Sequence, residues 1–259
     1  MGTNMKTLMK SAVAGFALAL LATGPSTAAG NAPTPPKQHW SFSGLFGTFE
    51  RSAAQRGFQV YREVCAGCHS LRQIDFRHLA GLGYNEDQIK AFAAEAEVTD
   101  GPNDDGEMFT RPGVPADGLP KPFPNEKAAA ASNNGKAPPD LSLMVKARKG
   151  GADYVYGILT GYEEAPAGVT VPEGGNYNHY FPGHVIAMAP PLSDEGIEYQ
   201  DGTKATVMQQ AKDVVTFLSW TAEPEMEARK SMGLKVILFL IVLTGLLFRV
   251  KKAVWKDVH

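Results

Sequence analysis

The sequence predicts a mainly α protein of helices and long loops, carried on one C-terminal transmembrane helix. Three observations point there. Apolar residues recur at helical spacing in several segments, and no segment alternates convincingly as a strand. Eight prolines fall between Val98 and Pro139, where periodicity vanishes. A nineteen-residue apolar run, Met232 to Val250, lies near the C-terminus. At a helical rise of ~1.5 Å per residue it is roughly 28 Å long, enough to cross a hydrocarbon core.

The two ends set the domain plan. Met1 to Ala29 has the pattern of a secretory signal. Lys6 and Lys10 supply positive charge, Ser11 to Ala22 is a short apolar stretch, and Ser26 to Ala29 are small residues suited to cleavage. A retained anchor is the alternative, but the apolar stretch is short for a span. Residues 30–228 form the exported domain, 229–252 the membrane helix and 253–259 a cytoplasmic tail. Lys235 lies one turn inside the apolar run and can snorkel to the interface. Arg249, Lys251, Lys252 and Lys256 follow the run with Trp255 among them, a positive inner flank with an aromatic anchor. A buried core helix is the competing reading, and so few polar residues argue against it. The expected location is a bacterial inner membrane, crossed once, with the domain on the periplasmic side.

Charge is segregated. Between Gly30 and Ala228 there are 16 Lys and Arg against 26 Asp and Glu, so 16 − 26 = −10. Such a field attracts basic partners, though acidity can also serve solubility alone. It argues against nucleic acid, which needs a basic footprint.

The elements follow in order. Pro33, Pro35 and Pro36 make an extended lead-in. Trp40, Phe42, Leu45 and Phe46 read as a loop laying aromatics onto a core. Ala54, Phe58, Tyr61 and Val64 recur at helical spacing, which predicts a helix over Glu50 to Val64. A second helical region spans Ile74 to Glu97, with Asn85 or Glu86 as a start and Ile89, Phe92 and Ala93 facing inward. Val98 to Pro139 is a long loop with an acidic cluster and a short helix near Glu126–Ala131. A loop this long needs a large ligand to organise it. Asp140 reads as the N-cap of a helix that turns Leu141, Met144 and Val145 inward, and Gly150-Gly151 breaks it. Asp153 to Leu159 is another short helix, and Glu163 to Gly183 is turn-rich. Thr206 to Trp220 carries Val207, Ala211, Val214 and Leu218 on one stripe and ends before Pro224.

Chemistry concentrates in Cys65-Ala66-Gly67-Cys68-His69, which holds both cysteines of the chain. Two thiols at this spacing followed by His read as covalent c-type haem attachment. Each thiol adds to one vinyl group of the porphyrin, and His69 falls under the iron as neutral imidazole. Half of a zinc site is an alternative, but no second cysteine pair completes it. A thioredoxin-like pair would need a βαβ setting, whereas a helix precedes this one. With both cysteines committed, no disulfide remains. The fold class is thus a c-type cytochrome domain of helices and long loops wrapped round one haem c, plus the membrane helix.

The second axial ligand decides the haem's work. Met108, Met144, Met188, Met208 and Met226 are candidates. Met144 and Met208 read as core residues of helices. Met188 stands in Ile186-Ala187-Met188-Ala189-Pro190-Pro191, where small neighbours admit the thioether and two prolines stiffen the backbone. His78, His179 and His184 are rivals, with His184 the closest. A soft Met ligand favours ferrous iron and makes a one-electron carrier of raised potential.

These segments resemble the cytochrome c1 family, the haem subunit of quinol–cytochrome c reductase. The resemblance runs from Trp40 to Trp255. It rests on WSFSGLFG, RGFQVYREVCAGCH, EVTDGPNDDGEMFTRPG, NNGKAPPDLS, KARKGGADYVYGILTGY, YFPGHVIAMAPPL and AKDVVTFLSWTAEPE in that order. It implies that Cys65 and Cys68 carry the thioethers and that His69 and Met188 are the axial pair. It further implies that Arg148 pairs with a haem propionate, and that Tyr154, the Pro138-Pro139 turn and Asn133 line the pocket. The loop disulfide of some bacterial relatives has no counterpart here.

The implied role is one-electron relay from the Rieske iron–sulfur protein to a basic cytochrome c. The implied setting is a dimeric, proton-translocating complex with cytochrome b in a lipid bilayer. No acid/base or nucleophile constellation is visible. Two rival readings stand beside it. One is a free membrane-anchored cytochrome c feeding an oxidase, and the other is a zinc or thiol module on a membrane stalk.

Overall fold

The computed structural model describes residues 33–257; the expected leader, residues 1–29, lies outside them. Seven α-helices order these residues. They are α1 Arg51–Val60, α2 Glu86–Ala94, α3 Glu126–Ala131, α4 Met144–Ala147, α5 Gly151–Thr160, α6 Val207–Ala222 and α7 Met226–Val254. A π turn, Tyr61–Cys65, extends α1, and a 3₁₀ helix, Phe76–Leu82, precedes α2.

The core is built on α1 crossing α6. Ala54, Phe58 and Val60 of α1 meet Ala211, Val214, Phe217 and Leu218 of α6, all buried. The helices touch backbone to backbone at Gly57, where a Cβ would stand 2.0 Å from the carbonyl oxygen of Asp213. Only glycine fits there. Beside that contact Arg56 grips the buried Asp213 with two bonds of 2.9 and 3.0 Å, and its third nitrogen reaches Asp201 at 2.9 Å. The paired carboxylates hold the guanidinium further toward its charged form. A bidentate, hydrogen-bonded pair is the arrangement in which a buried charge is tolerated.

Helix boundaries obey local chemistry. Asn85 accepts from Gln88 N at 2.9 Å while the Gln88 side chain accepts from Asn85 N, a capping box that starts α2. Thr206 caps α6 with its side chain alone, accepting from Gln209 N. Gly150 and Gly151 have φ of +95° and +56°, conformations suited to glycine, and they separate α4 from α5.

Three expectations need correction. The long loop holds a two-stranded ribbon, β1 Glu97–Asp100 antiparallel to β2 Phe109–Pro112. Its side chains are exposed or half-buried on both faces, so no apolar alternation betrays it. Arg111 fastens it, pairing with Asp100 and Asp117. Asp140 is not a helix N-cap, because α4 begins after Leu143. Its carboxylate is spent on loops nearer the cysteines. The tip of the first loop, Leu45 and Phe46, does not join the core, although Trp40 does and Phe42 packs against it.

After Pro224 the chain enters α7, whose 29 residues extend about 43 Å at ~1.5 Å per residue. The most apolar stretch has a mean hydropathy of 2.3, and none of it is buried against the protein. Among the described residues this one helix is long and apolar enough to cross a membrane, which fits a single-pass membrane protein.

Candidate haem site

The π turn carries the attachment motif out of the core. The Ala66 N–H donates to the carbonyl of Tyr61 at 2.8 Å, and the N–H groups of Cys68 and His69 both donate to the carbonyl of Cys65 at 3.1 and 2.9 Å. This tight winding brings residues 65, 68 and 69 to one side of the turn, the i, i+3, i+4 relation. Both thiols are free, with Cys65 half-buried and Cys68 exposed. Burial, with a smaller push from Cys68, raises the Cys65 thiol to about 12.

His69 is held from two directions. Its Nδ1 lies 2.7 Å from the carbonyl oxygen of Pro139. A carbonyl only accepts, so Nδ1 carries the proton and Nε2 keeps its lone pair. The buried Tyr61 hydroxyl donates to the His69 carbonyl at 3.0 Å. Burial lowers the imidazole pKa, outweighing the Pro139 bond and the Asp140 charge that raise it. The neutral ring is therefore the resident form.

Asp140 locks the partner loop to the motif. Its Oδ2 accepts from Ser70 Oγ at 2.8 Å and Arg72 N at 2.9 Å, and its Oδ1 accepts from Ser142 N at 3.0 Å. Leu141 N then donates to the Ser70 carbonyl at 2.9 Å. Burial pushes this carboxyl upward, but the bonds from Ser142, Arg72 and Ser70 outweigh it and hold it below its usual range.

Met188 is placed by a second ribbon, β3 Asn176–Tyr177 antiparallel to β4 Val185–Ile186. The ribbon is fastened to the end of α5. Asn178, fully buried, donates from Nδ2 to the Ile158 carbonyl at 2.8 Å, and His179 N donates to Gly161 O at 2.8 Å. The Tyr162 hydroxyl donates to the Met188 carbonyl at 3.0 Å. Tyr162, Tyr177, Pro190 and Leu192 also line a cavity of about 450 Å³ on this side.

The remaining candidates fall as follows. Arg148 is exposed, donates only to the carbonyl of neighbouring Ala147, and makes no ion pair among the described residues. It stands near enough to half-buried Tyr154 to pull that phenol's pKa down, against the larger upward push of burial. Asn133 turns its amide back to the Ala129 carbonyl at 2.7 Å and closes α3. Met144 packs on the core as expected, whereas Met208 is 65% exposed. Met208 lies in the first turn of α6, outside the buried stripe. His78 is engaged in capping, with Nδ1 accepting from Asp75 N at 2.9 Å. His179 faces Glu163 at 3.0 Å. His184 stacks on Tyr177 and has φ of +60°, and its Nδ1 is buried with no hydrogen-bond partner.

Sequence reasoning missed Tyr61, Ser70, Asp140 as a loop lock, and Tyr162. None belongs to a motif with its own chemistry. Only the tertiary contact gives each a role.

The donors present fit haem c. Two free thiols at the attachment spacing share one side of a turn with an imidazole whose Nε2 is left open by the Pro139 bond. Such a site on a helix-and-loop domain, carried by one long apolar helix, defines a membrane-anchored c-type cytochrome. The sequence pattern of the Cytochrome C1 family matches residues 40–258. The chain belongs to that family.

Relatives agree. Cytochrome c1 of Rhodospirillum rubrum is 48% identical over 98% of this chain and 99% of its own. The mitochondrial cytochrome c1 haem protein of Schizosaccharomyces pombe is 52% identical over 91% of this chain and 78% of its own. A Bradyrhizobium diazoefficiens protein named cytochrome b/c1 is 51% identical over 96% of this chain, which spans only 40% of that longer relative. Covalently bound haem c is the family's cofactor, and electron transport is its work.

Proposed function

We propose that this chain is the haem subunit of a quinol–cytochrome c oxidoreductase. It takes one electron from a Rieske iron–sulfur protein and hands it to a basic cytochrome c. The open Nε2 of His69, secured by the Pro139 carbonyl, is the observation that carries the reading. Haem c, when bound, supplies a one-electron ferric/ferrous couple. Cys65 and Cys68 would hold it through thioethers, and the His69 imidazole and Met188 thioether would ligate its iron. The Tyr162 bond fixes the backbone behind that sulfur. Arg148, free of carboxylates, neutralises a propionate, and Tyr154, Pro139 and Asn133 line the pocket.

The rest of the proposal concerns place and partners. Residues 1–29 are a cleaved leader, 30–228 lie on the periplasmic side of a bacterial inner membrane, 229–252 span it and 253–259 face the cytoplasm. Cytochrome b is the membrane partner, consistent with the relative whose printed name couples b with c1. The complex is dimeric, and proton translocation belongs to the whole assembly.

Purification from the membrane tests this. A c-type reduced spectrum together with b haem and an iron–sulfur signal is the expected result. Isolation as a haem protein without those partners would favour a free cytochrome feeding an oxidase. The domain's net charge of −10, from 16 − 26, gives a kinetic check. Raising ionic strength is expected to slow reduction of a basic cytochrome c, and salt-independent rates would mean the acidic field plays no part in docking.

A further inference from the structure

Phe46, 77% exposed, is the most exposed large apolar side chain among the described residues, and its neighbour Leu45 is 59% exposed. Single exposed apolar residues are ordinary. These two sit together on a braced turn. Its base is packed, with Phe42 stacked on buried Trp40 at 5.5 Å and tilted against Phe49 at 5.2 Å. Ser43 N donates to Trp40 O and Thr48 N to Ser41 O, each at 3.1 Å. The turn is too tight at Gly47 for a Cβ, which would stand 2.1 Å from the Ser43 carbonyl. A floppy loop could fold such side chains inward, but this one holds them out.

The brace comes from the start of the membrane helix. Lys230 Nζ donates to Phe42 O at 2.8 Å and Gly47 O at 3.0 Å, closing the turn from both sides. Glu227, one turn earlier, accepts from Phe49 N at 2.7 Å and pairs with Arg51 at 2.9 Å. Phe46 is thus one residue, about 3.8 Å of Cα path, from an atom bound to Lys230. From Lys230 to Lys235 the helix rises about 7.5 Å. That matches the depth of one headgroup layer, about 5–7 Å.

We propose that the Ser43–Phe46 turn is a second membrane contact, setting Leu45 and Phe46 into the headgroup layer beside α7. It rests on the reading that α7 spans the bilayer. The helix alone leaves the domain free to tilt about its single stalk. A lateral apolar foot fixed to the helix by Lys230 and Glu227 gives the domain two points of support and a set height over the membrane. The burial is non-directional, so a fluid surface suffices as partner.

The test uses the full haem-loaded chain in its native membrane. Benzoylphenylalanine is placed at Phe46, at Phe239 and Leu243 on the apolar helix, or at Met208 on the far end of α6. After irradiation the adducts are identified by mass spectrometry. Phe46 is expected to give phospholipid adducts at a yield comparable with the helix positions, and Met208 none. Lipid adducts at the helix positions with none at Phe46, or with Phe46 joined only to another subunit or a second copy, would overturn the proposal and make the turn a protein contact or a free loop. If neither helix position labels lipid, the spanning reading falls, and the turn's membrane role falls with it.

Discussion

Around His69 the chain is helical and tied down from several sides; around Met188 it is a loop hung from a two-residue ribbon. The His side continues α1, whose Gly57 contact and Arg56–Asp213 pair belong to the core. Pro139, Tyr61 and Asp140 then hold His69 and its neighbours. The Met side is secured by Asn178 and His179 N to the end of α5 and by one hydroxyl, Tyr162, to the Met188 backbone. Few buried contacts and few bonds mean a lower free energy for local opening. Damage on the His side should therefore appear as lost global stability. On the ligation proposed above, damage on the Met side should appear as an altered iron ligand in a folded protein.

The largest expected effect breaks the Met side alone. Met188→Leu is expected to retain covalent haem and global stability but to lower the potential by on the order of 0.2 V, a fraction of the ~0.8 V that axial ligands span. Redox titration reads it. An unchanged potential would shift attention to His184, whose Nδ1 is buried without a partner.

Next comes the foundation of the His side. Asp213→Ala leaves the Arg56 guanidinium, 15% exposed, without its main partner in the core. A loss of about 3 kcal/mol is expected in chemical denaturation. A loss no larger than that of a surface substitution would show that α1 and α6 are held by apolar contact alone.

Asp140→Asn sharpens the comparison through pH. The native carboxyl is held below its usual range, so its contribution is fully present above the unfolded value of about 3.9 and fades as pH falls through the folded one. The variant is expected to lose about 1–2 kcal/mol at neutral pH, with the gap from wild type closing on acidification below about pH 4. A gap that stays constant with pH would mean the carboxylate charge is immaterial to the lock.

Tyr162→Phe should be the mildest. Removing one hydroxyl frees the Met188 carbonyl, with about 1 kcal/mol lost locally. On the proposed Met188 ligation, the absorption of the sulfur–ferric bond is expected to fade at a lower temperature than in wild type, while the global unfolding midpoint moves little. Equal shifts in both would show that the ribbon is part of the core.

Much of this was legible in advance. The helices over Arg51–Val60, Glu86–Ala94 and Val207–Ala222 carry apolar stripes, and Asn85 and Thr206 cap the latter two, so pattern and, for two of the three, a capping residue announced them. The ribbon of Glu97–Asp100 and Phe109–Pro112 was invisible because neither face is buried and no alternation is required. Asp140 misled because a cap and a loop lock use the same chemistry, a carboxylate accepting from backbone N–H groups. Met208 misled because a helical position near a stripe is not on it.

The chain's order of residues alone determined the attachment motif, the apolar span and the helical character, since each depends on spacing within a few turns. Which carbonyl orients His69, which hydroxyl backs Met188 and which loop Lys230 clasps were decided only by the folded whole. Those partners lie 70, 26 and 188 residues apart in the chain, and hydrogen bonds over such separations exist only after packing brings them within 3 Å.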